Sequence, residues 1–73
     1  MIKFHLAEIR HNKRMTRRLL SQKSGVARST IEAIEDEHGN PNPSLKTVCK
    51  LAKALDVPPY DLFSYSDDGG DDS

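Results

Sequence analysis

Seven basic side chains lie close together in the chain, and guanidinium and ammonium groups are suited to binding phosphate. They fall between positions 10 and 28 and make up most of the 11 lysines and arginines: Arg10, Lys13, Arg14, Arg17, Arg18, Lys23 and Arg28. Such a local cluster attracts phosphate groups. A solvated helix surface can carry the same residues, so charge alone leaves both interpretations open.

Three neighbouring polar residues, Arg28, Ser29 and Thr30, could form hydrogen bonds with groups outside the chain. They directly precede Ile31 and Ile34, whose spacing predicts a helix with one buried face. The polar residues would then stand on the exposed first turn of that helix. An ordinary helical bundle can show the same arrangement, so this pattern is weak evidence by itself.

The chain offers little for catalysis or metal binding. Its three histidines, His5, His11 and His38, are not spaced to face one another on a helix, and no pair of carboxylates stands in an expected pocket. Each histidine is therefore predicted to lie on the surface or in a loop. We expect no enzymatic activity, no cofactor and no metal site.

The single cysteine and the absence of a long apolar run favour a cytoplasmic protein. Cys49 has no second cysteine with which to form an internal disulfide, which suits a reducing compartment. It lies between Val48 and Leu51 in an apolar pattern, so we expect it to be buried rather than reactive. No apolar run approaches the roughly 20 residues that span a bilayer, so no membrane contact is expected.

A formal net charge of zero hides an uneven distribution of charge. The final stretch, SDDGGDDS, contains four aspartates: Asp67, Asp68, Asp71 and Asp72. Without them, 11 basic residues face 7 acidic ones, which leaves a formal charge of +4 on the rest of the chain. The composition of residues 66–73 predicts a disordered acidic tail. Such a tail could aid solubility, repel nonspecific DNA or contact a basic protein partner.

The apolar periodicity predicts an all-α fold of five short helices, in one domain of residues 1–65. The predicted helices cover residues 2–13, 17–24, 28–37 and 45–55, and a short fifth helix begins at Pro59. Thr16 and Ser44 are suited to cap the second and fourth helices, and Gly25 is suited to end the second. No strand is expected. The predicted inward positions are Ile2, Leu6, Ile9, Leu20, Val26, Ile31, Ile34, Leu45, Val48, Leu51, Ala52, Leu55, Leu62 and Phe63.

The second and third predicted helices, with the tight turn between them, form a helix-turn-helix unit over about residues 17–36. Only Val26 and Ala27 separate Gly25 from the third helix, so the two helices must meet at an angle. The major groove of DNA is about 12 Å wide and admits one helix. The first turns of the third helix would then reach the edges of the bases.

Motifs spread over most of the chain, from about Ile9 to Phe63, resemble one known family. They are IRHNKRMT, LLSQKSGVARSTIEAIE, NPSLKTVCKLAKALDV and DLF, and they stand at the intervals that the family shows. The chain thereby resembles the helix-turn-helix domains of the Cro and phage-repressor type, also called XRE-like. The resemblance implies a lambda-repressor-like DNA-binding domain, with double-stranded DNA as its partner. It also implies a transcriptional regulator, with repression at an operator as the expected activity.

The resemblance further implies roles for single positions. The helix that starts near Arg28 would be the recognition helix, and Arg10 with Glu35 would form a salt bridge that holds it against the first helix. A bidentate contact between an arginine and guanine would contribute about 1 to 3 kcal/mol of discrimination. The implied base contacts are Arg28, Ser29, Thr30 and Ala33, and the implied phosphate contacts are Arg17, Arg18, Asn40, Asn42 and Lys46.

Three positions depart from the pattern of the family. Arg17 stands where glutamine is common, which keeps phosphate binding feasible and makes it more sensitive to salt. Ser21 stands in place of an alanine and must either hydrogen-bond a backbone carbonyl or leave its contact loose. Ala27 replaces the usual serine or threonine before the recognition helix and is a weak cap.

Operators of this family usually contain two half-sites, so the resemblance also implies a homodimer. The expected interface is the last helix and its approach, with Val57, Pro58, Tyr60, Phe63 and Tyr65 as the contributing residues. Leu62 and Phe63 could instead simply close the core, and Tyr60 and Tyr65 are expected to be the more exposed pair. The alternative function is an antitoxin or another protein-interaction module of the same fold, bound to a toxin or other protein.

Overall fold

The fold is mostly helical, and its first and last described elements pair in a small sheet. The structure, a computed structural model, describes residues 2–39 and 41–66. In chain order these residues form β1 (Ile2–Phe4), α1 (Leu6–Asn12), α2 (Arg17–Ser24), α3 (Arg28–Glu35), α4 (Leu45–Leu55), a 3-10 turn (Pro59–Asp61) and β2 (Phe63–Tyr65). The described residues thus contain four α-helices, and the prediction of five helices without a strand is wrong at both ends of the chain.

The predicted helix caps are present where α2 and α4 begin. Thr16 Oγ1 accepts a hydrogen bond from Leu19 N at 3.0 Å, and Ser44 Oγ accepts one from Thr47 N at 3.1 Å. Gly25 ends α2 in the left-handed conformation with a φ of 76°, which glycine adopts without steric cost. Ala27 makes no side-chain cap at the start of α3, because its methyl group cannot accept a hydrogen bond. These local features depend on neighbouring residues, and the sequence predicted all of them.

The first predicted helix begins too early, because its first residues pair with the other end of the chain. Ile2–Phe4 form an antiparallel pair with Phe63–Tyr65, in the register Ile2 to Tyr65, Lys3 to Ser64 and Phe4 to Phe63. His5 N continues the connection by donating to Leu62 O at 2.8 Å. Ile2 also fits the helical spacing of Leu6 and Ile9, but strand pairing satisfies the backbone of these terminal residues instead. Ile2 is therefore not an inward position, and its side chain is 57% exposed.

The fifth predicted helix is one 3-10 turn followed by β2. Pro59 opens this turn, where its missing N–H leaves no donor unpaired, as expected. Leu62 follows the turn and is almost fully buried, at 2% exposure. Phe63 belongs to β2 and packs on the edge of the core. Leu62 thus closes the core, while the residues after it extend along β1.

The core lies between α2, α3 and α4, with α1 and Leu62 covering its ends. Two predicted inward positions of α4 are wrong: Leu45 is 73% exposed, and Cys49 is exposed rather than buried. The buried residues of α4 begin at Val48, one turn after Leu45, and Cys49 lies one position off this stripe. The buried apolar residues are Leu6, Leu20, Val26, Ile31, Ile34, Val48, Leu51, Ala52, Leu55 and Leu62.

Two further expectations concern the tail and the membrane. Residues 67–73, which include most of the predicted acidic tail, lie outside the described residues. In the ranges that the structure does describe, no helix combines the length and the apolar character needed to cross a bilayer.

Candidate nucleic-acid interface

The carboxylate of Glu35, the last residue of α3, connects three helices. Arg10 of α1 donates through Nε to Oε2 at 2.7 Å and through Nη2 to Oε1 at 3.0 Å. Arg17, the first residue of α2, donates through Nε to Oε1 at 2.8 Å. The side chains of Arg10 and Glu35 are only 7% and 2% exposed, whereas that of Arg17 is 47% exposed. The ion pair implied by the resemblance is therefore present in a buried, two-bond form, and a second arginine joins it.

Burial and the two arginines shift the pKa of Glu35 in opposite directions. Removal from water alone would raise the pKa of Glu35, but hydrogen bonds and positive charge from Arg10 and Arg17 outweigh it and hold this pKa below the ordinary 4.5. The hydrogen bond to Glu35, with the charge of that carboxylate, also raises the pKa of Arg17. Glu35 therefore carries its negative charge at neutral pH.

Arg10 also fixes the loop that leads into α2. Its Nη1 donates to Met15 O at 2.9 Å, and its Nη2 lies 3.2 Å from His11 Nε2. All three guanidinium nitrogens thus have partners, which offsets the cost of burying this charge. The arginine holds α1, the loop before α2 and the end of α3 in one arrangement.

A basic hollow opens beside this network, at the start of α2. Its volume is about 410 Å³, and it is lined by Arg10, His11, Thr16, Arg17, Arg18 and Arg28. The structure therefore brings together Arg17 and Arg18, two of the implied phosphate contacts, with Arg28 from the implied base contacts. Because the Nε of Arg17 already donates to Glu35, a phosphate at this position would be met by its terminal nitrogens.

The outer face of α3 carries the residues implied to contact bases. Arg28, Ser29 and Ala33 are exposed, and Thr30 is half-buried. Arg28 Nε donates to Glu32 Oε2 at 3.2 Å, across one turn of the helix, and both side chains remain largely in water. This contact uses Nε and does not engage the two terminal nitrogens of Arg28. Glu32 is not among the implied base contacts, although its spacing of four residues from Arg28 predicts this ion pair.

A second hollow lies along the other flank of α3. It has a volume of about 250 Å³ and is lined by Ser29, Thr30, Ala33, Ile34, Pro41, Asn42 and Pro43. Asn42 thus lies beside α3, and Lys46 is exposed on the first turn of α4. Asn40, also implied as a phosphate contact, lies outside the described residues.

The turn between α2 and α3 is fixed by a side chain that departs from the family pattern. Ser21 Oγ donates to Val26 O at 2.7 Å, and Val26 is buried at 7% exposure between the two helices. Of the two outcomes open to Ser21, the structure shows the hydrogen bond to a backbone carbonyl. The angle between α2 and α3 is thus held by packing and by a hydrogen bond.

The residues expected at a dimer interface do not all belong to one secondary-structure element. Tyr60 lies in the 3-10 turn, whereas Phe63 and Tyr65 belong to β2. Tyr60 and Tyr65 are 72% and 67% exposed, so they are the more exposed pair, as expected. Val57 is half-buried and packs against the core.

Metal binding has no support in the described part of the chain. Among those residues, no three histidine, cysteine, aspartate or glutamate side chains gather where an ion could be held. His5 instead lies 3.0 Å from Ser64 through its Nε2, and His11 contacts Arg10.

Comparison with known proteins agrees with this geometry. The helix-turn-helix family matches residues 6–62. An uncharacterized HTH-type transcriptional regulator of Methanocaldococcus jannaschii is 47% identical over 58 residues, which cover 80% of this chain and 82% of that protein. The crystal structure of a protein from Bacteroides fragilis, described as a candidate DNA-binding protein, has a TM-score of 0.71 at 26% identity and covers 88% of this chain and 100% of that chain. The chain therefore belongs to the helix-turn-helix family, of the XRE type that its motifs resemble.

Proposed function

We propose that this protein is a sequence-specific DNA-binding transcriptional regulator that represses transcription by occupying an operator. The observation that carries the proposal is the position of α3: its exposed face, with Arg28 and Ser29 in the first turn, adjoins the basic hollow at the start of α2. An exposed helix beside a phosphate-attracting surface is the arrangement with which helix-turn-helix proteins enter the major groove. The similarity to a transcriptional regulator of M. jannaschii supports the same function.

Base recognition would depend most on Arg28. Its Nε is engaged by Glu32, so the two terminal nitrogens are free to approach O6 and N7 of a guanine together. Glu32 would thus restrict the guanidinium to an end-on orientation. The small side chains of Ser29 and Ala33 allow α3 to approach the bases closely, and Ala33 could contact a thymine methyl group.

Phosphate contacts would anchor the helix on both sides. Arg17 and Arg18 stand at the start of α2, whose free backbone N–H groups also favour an anion. Asn42 and Lys46 stand on the opposite flank, next to the start of α4. Phosphate contacts on both sides of the groove set the register of α3 but carry no sequence information.

The Glu35 network would serve DNA binding indirectly, by holding α3 at a constant angle. Arg10 is 5% exposed and cannot itself reach DNA without leaving its partners. Arg17, at 47% side-chain exposure, can contact a phosphate while it remains bound to Glu35. The network thus connects a phosphate contact to the end of the recognition helix.

Selection of bound duplexes from a random pool would test this function. The wild-type protein should enrich one sequence, and Arg28→Ala should lose about 1 to 3 kcal/mol of the preference for a guanine within it. Lys50→Ala is the matched control, because it removes one positive charge from the exposed surface of α4, outside the proposed interface. If wild-type protein shows no preference over random DNA at moderate salt, the proposal is wrong.

A salt titration distinguishes the phosphate contacts from the base contacts. Arg18→Ala should weaken binding to every duplex by a similar factor and reduce the slope of log K against log salt by about 1. Loss of sequence preference in Arg18→Ala, with an unchanged salt slope, would contradict the assignment of this residue.

A further inference from the structure

His11 is an ionisable side chain that the proposed DNA contacts leave without a role. It stands in the last turn of α1, is exposed, and lines the basic hollow together with Arg17, Arg18 and Arg28. Histidine differs from these arginines because its charge can change between about pH 5 and pH 8. The hollow therefore contains one group whose charge can respond to what binds there.

The contact between His11 and Arg10 determines which form of the imidazole the structure contains. His11 Nε2 lies 3.2 Å from Arg10 Nη2. A guanidinium group has only donors, so His11 Nε2 must accept this hydrogen bond and carries no hydrogen. An imidazole with one nitrogen free of hydrogen is neutral. In this arrangement His11 is therefore uncharged, with its hydrogen on Nδ1.

Arg10 does not depend on His11 for its hydrogen bonds. Its Nη2 also donates to Glu35 Oε1 at 3.0 Å, its Nε donates to Glu35 Oε2 at 2.7 Å, and its Nη1 donates to Met15 O at 2.9 Å. The imidazole can therefore turn away while every nitrogen of this buried guanidinium keeps a partner. A protonated His11 would have to turn in this way, because its Nε2–H would otherwise face another donor.

The positive charge around His11 is smaller than the number of arginines indicates. Charged groups lie on every element that borders the hollow: Glu8 and Arg10 of α1, Lys13 and Arg14 after it, Arg17 and Arg18 of α2, and Arg28, Glu32 and Glu35 of α3. Glu35 offsets part of the charge of two arginines, and Glu32 pairs with a third. Of the four arginines that line the hollow, only Arg18 makes no ion pair within the part of the chain that the structure describes. A phosphate in the hollow would add negative charge beside His11 and favour its protonated form.

We infer that His11 is a further phosphate contact of this surface, and that it takes up a proton from solvent when a backbone phosphate enters the basic hollow. The protonated ring would donate Nε2–H to a phosphate oxygen, beside the terminal nitrogens of Arg17. DNA affinity would then increase as the pH falls, because the bound state holds one more proton than the free state. The inference rests on the proposed function, since it takes DNA as the source of the phosphate.

The affinity for a selected duplex, measured against pH at constant ionic strength, would test the inference. The dissociation constant of wild type should fall by up to about tenfold per pH unit as the pH is lowered from about 8 to about 5.5, the limit for one linked proton. His11→Gln should keep the wild-type affinity near pH 8, because the glutamine oxygen can also accept from Arg10, and should lose most of the increase at low pH. His38→Gln is the matched control, because it replaces an exposed histidine that does not line the hollow.

Titration calorimetry in two buffers of different ionisation enthalpy would count the protons directly. Wild type and His38→Gln should take up as much as about one proton per bound duplex at low pH, and His11→Gln close to none. Circular dichroism would show that each variant is folded. A wild-type affinity that does not depend on pH, or a dependence that His11→Gln retains in full, overturns the inference.

A measurement without DNA separates this inference from the proposed function. Sulfate binds where phosphate binds and keeps its charge over this pH range, so the NMR signals of the histidine rings can be followed against pH in sulfate and in chloride of equal ionic strength. We expect sulfate to move the midpoint of the His11 titration to higher pH and to leave that of His38 in place. Equal behaviour of the two histidines overturns the inference even if DNA binds. If no duplex is preferred over random DNA, the proposed function is wrong, and the sulfate titration still decides the role of His11.

Discussion

Replacement of Glu35 by glutamine tests whether the buried network holds the domain together. Glu35→Gln keeps the shape of the side chain but removes its charge, so that Arg10, at 7% side-chain exposure, is left without a counterion. Loss of one partner of a buried ion pair typically costs about 3 to 5 kcal/mol of stability. Because the amide oxygen of glutamine can still accept a hydrogen bond, we expect a cost of about 3 kcal/mol here. A domain of this size has a free energy of unfolding of about 4 to 11 kcal/mol. The variant should therefore lose a large part of its stability.

Urea denaturation, followed by circular dichroism, would measure this loss. Glu32→Gln is the control, because it is the same substitution on the same helix and also removes the partner of an arginine. Its pair with Arg28 is 63% and 46% exposed, so the expected cost is below about 0.5 kcal/mol. Equal losses in the two variants would refute the argument that burial determines the contribution of Glu35.

The pH dependence of stability gives an independent test of the same network. The pKa of Glu35 is lower in the folded protein than its ordinary value of 4.5. The stability that this shift contributes is therefore present above about pH 4.5 and is lost as the pH falls through the folded-state pKa. The difference between wild type and Glu35→Gln should therefore shrink as the pH falls from about 4.5 through the folded-state pKa. A constant difference over that range would show that the carboxylate charge does not stabilise the fold.

Four smaller predictions follow from single contacts. Glu32→Gln should lower the preference of Arg28 for guanine in a selection experiment, while binding to random DNA is unchanged or tighter because one negative charge is lost. Ala27→Ser should add the missing cap of α3 and raise the free energy of unfolding, measured in urea titrations, by about 0.5 to 1 kcal/mol. No gain would show that the first backbone N–H groups of α3 already have hydrogen-bond partners. Gly25→Ala should lower that free energy by about 1 kcal/mol, because the φ of 76° strains any residue with a Cβ although no atom lies within 4 Å of it. Cys49 should react with a thiol reagent in the native protein as fast as in urea, since it is exposed; protection in the native state would contradict its position on α4.

Most of the helix-turn-helix unit was predictable because it depends on neighbouring residues. The caps at Thr16 and Ser44, the left-handed Gly25 and the apolar spacing of Ile31 and Ile34 each act within a few residues. Such short-range signals place α2, α3 and α4 to within about two residues. The exposed face of α3 follows from the same spacing.

The ends of the chain were mispredicted because their structure depends on residues far away in the sequence. Ile2 fits a helical stripe with Leu6, yet β1 pairs with β2 at the opposite end of the chain. Leu45 fits the stripe of α4 but lies one turn before its first buried residue, Val48, and is exposed. Periodicity reports which side of a helix a residue lies on, and it contains no information on where the facing helices end.

Some features of the candidate site likewise depend on neighbouring residues, and others depend on tertiary packing. Residue types and spacing in the sequence determined that a polar first turn, led by Arg28, stands at the start of a helix with a buried opposite face. Only the tertiary structure decided that Arg17 joins Arg10 on Glu35, and that β1, β2 and the start of α4 line one apolar hollow. The physical reason is that a buried charge takes its partners from whichever helices pack around it, and an exposed patch forms wherever that packing stops.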